Sequence, residues 1–137
     1  MEILYPPHDA VRLAESVAKI SEAARVLAAF GEADPGLASE CGVEINALEA
    51  RTILASGAPA RVAARAVEAA RTGRPAAVSA QDLEALSRLE AVVALGKSRI
   101  DLRLAALEAE ASQEPLSRLA GLAGLATGAV GLIKSIL

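Results

Sequence analysis

Apolar residues recur along this chain at steps of three and four, the spacing of one face of an α-helix. The first such stripe is Leu13, Val17, Ile20, Ala24 and Leu27. Asp9 stands where an N-cap belongs, and Gly31 predicts the end of this helix. Residues 31–36, Gly-Glu-Ala-Asp-Pro-Gly, read as a loop in which Asp34-Pro35 opens a short helical turn. Gly42 interrupts it. A second full helix is predicted over about 43–55, stopping at Gly57, and a third, Ala-rich one from Pro59 to near Gly73.

Ser79 and Asp82 resemble a capping box, with Asp in place of the usual Glu. The helix they introduce, about 80–112, carries the longest stripe: Leu86, Leu89, Val93, Gly96, Ile100, Leu104 and Leu107. At 1.5 Å per residue it spans roughly 50 Å. Gly96 is a candidate break, because Ser98 and Asp101 suit a fresh start. Pro115 opens a final helix, 116–136. Pro6 and Pro7 oppose helix at the other end, so residues 1–8 read as an extended arm. No strand alternation persists and no repeat is visible. The expected fold is all-α: a single domain, 1–137, of about five amphipathic helices, with a Pro-containing arm, an apolar Gly-rich C-terminal helix and no sheet.

Composition makes the core unusual. Ala and Leu dominate, and Tyr5 and Phe30 are the only aromatics. Burial contributes roughly 25 cal/mol per Å² of apolar surface, and Ala has little surface to offer. The entropy cost of ordering each residue does not fall in proportion. Close approach of Ala-faced helices or burial against a partner compensates. Asn46, Gln81 and Gln113 are the only amides, Met1 is the only Met, and Arg greatly outnumbers Lys. Depletion of thermolabile side chains marks proteins of thermophiles; a GC-rich genome leaves the same signature.

Little here points to catalysis. The only His, His8, sits beside two prolines, where a solvated or packed role is expected. Zinc asks for three or four ligands. Cys41 is the only cysteine, so no internal disulfide forms, and a small buried thiol is the expected state. Glu40 and Glu44 lie four apart with no His at ligand spacing, and read as a solvated acidic face. Neither a phosphate-binding glycine loop nor a Gly-x-Ser-x-Gly elbow is present. The expectation is a non-enzymatic protein that needs no cofactor and no metal. The opening Met-Glu-Ile-Leu-Tyr-Pro-Pro has neither a basic n-region nor an apolar h-region. The expected setting is therefore not Sec-dependent secretion but cytoplasmic assembly, ending in a virion or filament.

Charge is unevenly spread. Residues 1–50 hold nine acids and three bases, whereas residues 51–78 hold Arg51, Arg61, Arg65, Arg71 and Arg74 against Glu68 alone. An Arg-rich, Ala-rich helix approaches a phosphate backbone closely, and guanidinium matches phosphate geometry. Such contacts are sequence-independent and salt-sensitive. The alternative is pairing with the acidic N-terminal half, and the net charge of −3 favours it.

In the C-terminal segment Gly121, Gly124, Gly128 and Gly131 fall on one side of a helical wheel, with Leu119, Leu122, Leu125, Ile133 and Ile136 on the other. Four glycines cost roughly 1 kcal/mol each relative to Ala in a helix. A chain that tolerates this is expected to use the groove for close helix packing. The uncharged run between Arg118 and Lys134 is 15 residues, short of the ~20 a bilayer demands; it suits an interfacial helix or a packing helix.

In architecture alone the pattern resembles small helical subunits that build filaments, such as coat proteins of filamentous archaeal viruses and rod and needle subunits of bacterial secretion systems. No diagnostic residue carries that resemblance, so no family site is transferred. The leading expectation is a self-assembling subunit whose partners are copies of itself or a related subunit. Tyr5, Pro6, Pro7 and the four glycines are its expected interface, and the arginines its contact if nucleic acid is wrapped. A membrane-active or membrane-peripheral protein acting through 116–137, and a small helical regulatory module, are the alternatives.

Overall fold

The computed structural model describes residues 1–110. A strand, β1 (Glu2–Tyr5), leads into α1 (Pro7–Ala33), α2 (Pro35–Cys41), α3 (Glu44–Ala55) and α4 (Ala58–Thr72). A second strand, β2 (Ala76–Ser79), then precedes α5 (Ala80–Glu110). The all-α reading holds, with five helices among the described residues. The predicted final helix, 116–136, with Gly121, Gly124, Gly128 and Gly131, lies outside them.

The expectation of no sheet is corrected. β1 and β2 pair antiparallel, Glu2 opposite Ser79 and Tyr5 opposite Ala76. Four residues a side are too few to show alternation in sequence, and residues 76–79 read as linker after Arg74-Pro75. The pairing arises because both segments are extended by a neighbouring proline and each carries apolar side chains toward the helices. Ile3, Tyr5, Ala76 and Val78 face inward, while Glu2 and Leu4 face solvent.

The arm is also shorter than expected. It ends at Pro6, and Pro7 is the first residue of α1. Proline is at home there, since the first turn has no intrahelical acceptor for its missing N–H. Asp9 therefore lies inside the first turn, beside the helix dipole, instead of capping it.

α1 is the central element and packs against α3, α4 and α5. Its stripe of Leu13, Val17, Ile20, Ala24 and Leu27 is buried throughout, and Leu86, Leu89, Val93, Ile100 and Leu107 of α5 meet the same core. Gly31 does not end α1, which runs on to Ala33. It marks a close approach to α3: a Cβ there would stand 2.5 Å from the Ala47 Cβ. Gly96 likewise does not break α5. A Cβ at Gly96 would lie 3.0 Å from a Leu27 methyl. Both glycines answer a packing demand that local sequence disguises as helix punctuation. The Asp34-Pro35 start is as expected, with Asp34 Oδ1 accepting from the Leu37 N–H at 3.4 Å. Gly42, at φ +72°, closes α2 in the left-handed conformation.

Candidate functional site

α4 carries Arg61, Arg65 and Arg71 because its inner face is small and apolar: Ala58, Val62, Ala66 and Ala69 are buried, and the long cations are left outside; Arg51 lies on α3 and Arg74 follows α4. The structure separates the five arginines by partner. Arg61 makes a two-pronged contact with Asp82 of α5, Nε to Oδ2 at 3.0 Å and Nη2 to Oδ1 at 2.9 Å. Its Nη1 also reaches the Ser56 carbonyl. The hydrogen bonding from Arg61 to Asp82 first, and its positive charge in addition, hold the Asp82 carboxyl below the usual carboxylate range against the opposing effect of burial. Asp82 therefore does not close a capping box with Ser79, which belongs to β2. Arg71 pairs with Glu68 one turn earlier, at 2.7 Å, and Arg51 pairs with Glu32 of α1.

Arg65 and Arg74 are different. Both are exposed, and neither has an ion-pair partner among the described residues. They flank two clefts that meet at Ala77. One, of about 420 Å³, is lined by Glu2, Arg61, Arg65, Ala77, Ser79 and Asp82. The other, of about 220 Å³, has Arg65, Thr72, Arg74 and Ala77 among its walls. Sequence reasoning found this cluster but not its division. Asp82 is 21 residues from Arg61 and Glu32 is 19 from Arg51, so only the fold reveals which charges are already spent.

The other predicted contacts scatter. Tyr5, expected at the subunit interface, is fully buried within its own chain. Burial pushes its phenol up, and its hydroxyl has no hydrogen-bond partner among the described residues. Pro6 is exposed and Pro7 half-buried. His8 is exposed on the first turn of α1, 3.7 Å from Asp9. Cys41 is buried at the end of α2; burial pushes its thiol up, Arg103 pulls the other way, and Glu40 and Asp34 add to the rise. Glu40 meets Arg103 at 3.9 Å, while Glu44 sits in the first turn of α3. Among the described residues no group of three His, Cys, Asp or Glu is placed to hold a metal, and no helix is long and apolar enough to cross a membrane.

Sequence reasoning missed the large apolar side chains that the fold leaves outside. Leu95 and Leu102, two turns apart on one face of α5, are 47% and 73% exposed, and Ile45 of α3 is 60% exposed. Arg99, between the two leucines in sequence, bonds the residues on either side of Ile45's turn. Leu4 on β1 is 66% exposed. A set of leucines breaking the buried 3–4 stripe was the available signal. In comparisons by sequence and by structure, the chain matches no known family, no curated protein and no solved structure.

Proposed function

We propose that this chain is a non-enzymatic structural subunit that works by self-assembly. The observation that carries the reading is the contrast between a continuous, well-filled core and the large apolar side chains left outside it, Leu4, Ile45, Leu95 and Leu102. Single exposed apolar residues are ordinary on a soluble protein. Here Ile45, Leu48, Leu95 and Leu102 lie on α3 and α5, which pack together, while Leu4, Val11 and Val67 stand singly on β1, α1 and α4; exposed apolar patches are a common basis of protein contacts.

Nucleic acid is a narrower possibility within this reading. With Arg51, Arg61 and Arg71 paired to carboxylates, a phosphate backbone would engage chiefly Arg65 and Arg74. A coat-like role therefore rests on two cations per copy and on repetition along an assembly. The membrane reading depends on residues 116–137 and draws no support from the described part of the chain.

Electron microscopy and sedimentation of the purified protein across a wide dilution series test the proposal. The expected result is concentration-dependent growth into large particles, with a melting temperature that rises with concentration. A monomer at every concentration, with an unchanging melting temperature, overturns it.

A further inference from the structure

The two-stranded sheet has two open edges, and they differ. Ala80 N–H donates to the Met1 carbonyl at 3.0 Å. In an antiparallel ladder this makes Met1/Ala80 a hydrogen-bonded pair, and with it Ile3/Val78 and Tyr5/Ala76. The backbone groups of Glu2 and Leu4 therefore point away from β2, and those of Ala77 and Ser79 point away from β1. No third strand pairs with either edge among the described residues, but the Ser79 carbonyl, just before α5, accepts the first intrahelical bond of that helix. The edges are guarded by their length of four residues and by the charge of Glu2, but neither strand carries a lysine, an internal proline or an inward charge.

The edges are complementary in charge and in spacing. The β1 edge presents Glu2, which has no ion pair among the described residues. The β2 edge lies beside Arg65 and Arg74, which have none either, and the smaller cleft between them and Ala77 leaves room along it; the larger cleft takes in Glu2 of the same chain. The β1 edge offers the N–H and carbonyl of Glu2 and Leu4, and the β2 edge those of Ala77 with the Ser79 N–H, so either can serve as the other's missing neighbour.

We infer that β1 of one copy adds to the β2 edge of the next, antiparallel, with Glu2 opposite Ser79 and Leu4 opposite Ala77 of the neighbour, extending one sheet through successive copies. This rests on the self-assembly reading and supplies its geometry. Glu2 then meets Arg65 and Arg74 of the next copy, and the exposed Leu4 packs on the row already formed by Ala77 and its own Leu4. The contact joins two different surfaces, so it does not close on itself, and a contact of that kind propagates into a filament or ring. Pairing β1 with β1 would close a dimer and leave Arg65 and Arg74 without the neighbour's carboxylate. Strands of four residues make each contact weak, so growth is steeply concentration-dependent.

Two prolines test it in the full chain. Leu4→Pro removes an outward N–H from β1, and Ala77→Pro removes one from β2. The internal ladder uses neither N–H, and the residue before each is already extended, as proline prefers. Each variant alone is expected to stay monomeric where the wild type grows, by sedimentation velocity. Their equimolar mixture is expected to stop at heterodimers, because each supplies one intact edge. Charge reversal provides a second route that leaves the backbone alone: Glu2→Arg and Arg65→Glu each weaken assembly at least tenfold, and mixing them restores growth beyond a dimer. Wild-type assembly that both proline variants and both charge variants share unchanged overturns the strand pairing and leaves self-assembly standing. A wild type that stops at dimers, lost with Leu4→Pro but kept with Ala77→Pro, replaces it with β1–β1 closure. A monomeric wild type overturns both readings together.

Discussion

Arg99 of α5 reaches across to Asn46 of α3, its Nη1 donating to Asn46 Oδ1 at 2.9 Å and to the Gly42 carbonyl at 2.8 Å. Asn46 is buried and in turn directs its amide toward the Val92 carbonyl at 3.5 Å. One guanidinium thus ties the end of α2 and the start of α3 to the middle of α5. A hydrogen bond to a charged donor contributes roughly 1.5–3 kcal/mol when buried; this one is partly exposed. Arg99→Ala is expected to cost about 1–2 kcal/mol in urea unfolding and to speed hydrogen exchange at the start of α3. Exchange unaltered there would show that packing alone holds the junction.

Gly31 offers a sharper test of packing. An alanine there gains roughly 1 kcal/mol of helix propensity but drives its Cβ into Ala47 at 2.5 Å, where both groups are fixed to backbone. Overpacking of this kind costs about 1–3 kcal/mol. Gly31→Ala should therefore destabilise. The double variant Gly31→Ala with Ala47→Gly should recover most of the loss at that contact. Gly36→Ala, with nothing within 4 Å of the new Cβ, serves as the uncrowded control. A stabilised Gly31→Ala would contradict the described α1–α3 approach.

The Arg61–Asp82 contact sets part of the acid response. Asp82 is held below its unfolded pKa of about 3.9, chiefly by the hydrogen bond from Arg61. A depressed carboxyl contributes stability that is complete above the unfolded value and lost as pH falls through the folded one. Asp82→Asn and Arg61→Ala should each flatten the stability profile below about pH 4 and differ less from wild type there than at pH 7. An acid limb as steep as that of the wild type would assign the acid response to other carboxylates.

If the assembly holds nucleic acid, the arginines should not contribute equally. Each phosphate contact adds roughly 0.9 to the slope of log affinity against log salt. Replacing Arg65 and Arg74 together with Ala should reduce that slope by about 2. The same change at Arg61 and Arg71, whose charges are paired within the chain, should alter it little. Equal effects from the two pairs would show that the internal ion pairs open on binding.

The helices were legible because their signal is local and repeated. The stripes of α1 and α5 each place an apolar residue every three or four positions, and a buried helix face demands that spacing wherever it packs. Asp34-Pro35, Gly42, Gly57 and Gly73 were legible for a similar reason, since caps and left-handed turns act within a few residues. The tertiary structure decided everything that depended on which distant residue arrives as a neighbour. Gly31 and Gly96 read as stops because helix propensity is a weak local preference, and contacts with Ala47 and Leu27 outweigh it. Tyr5 read as an interface residue of an extended arm, whereas pairing with residues 76–79 buries it within its own chain. The arginines read as one cluster until Glu32 and Asp82, remote in sequence, paired with two of them and left Arg65 and Arg74 beside the sheet edge. Periodicity reports which face of a segment is buried; only the packed chain brings together the charges and strand edges that remain for a partner.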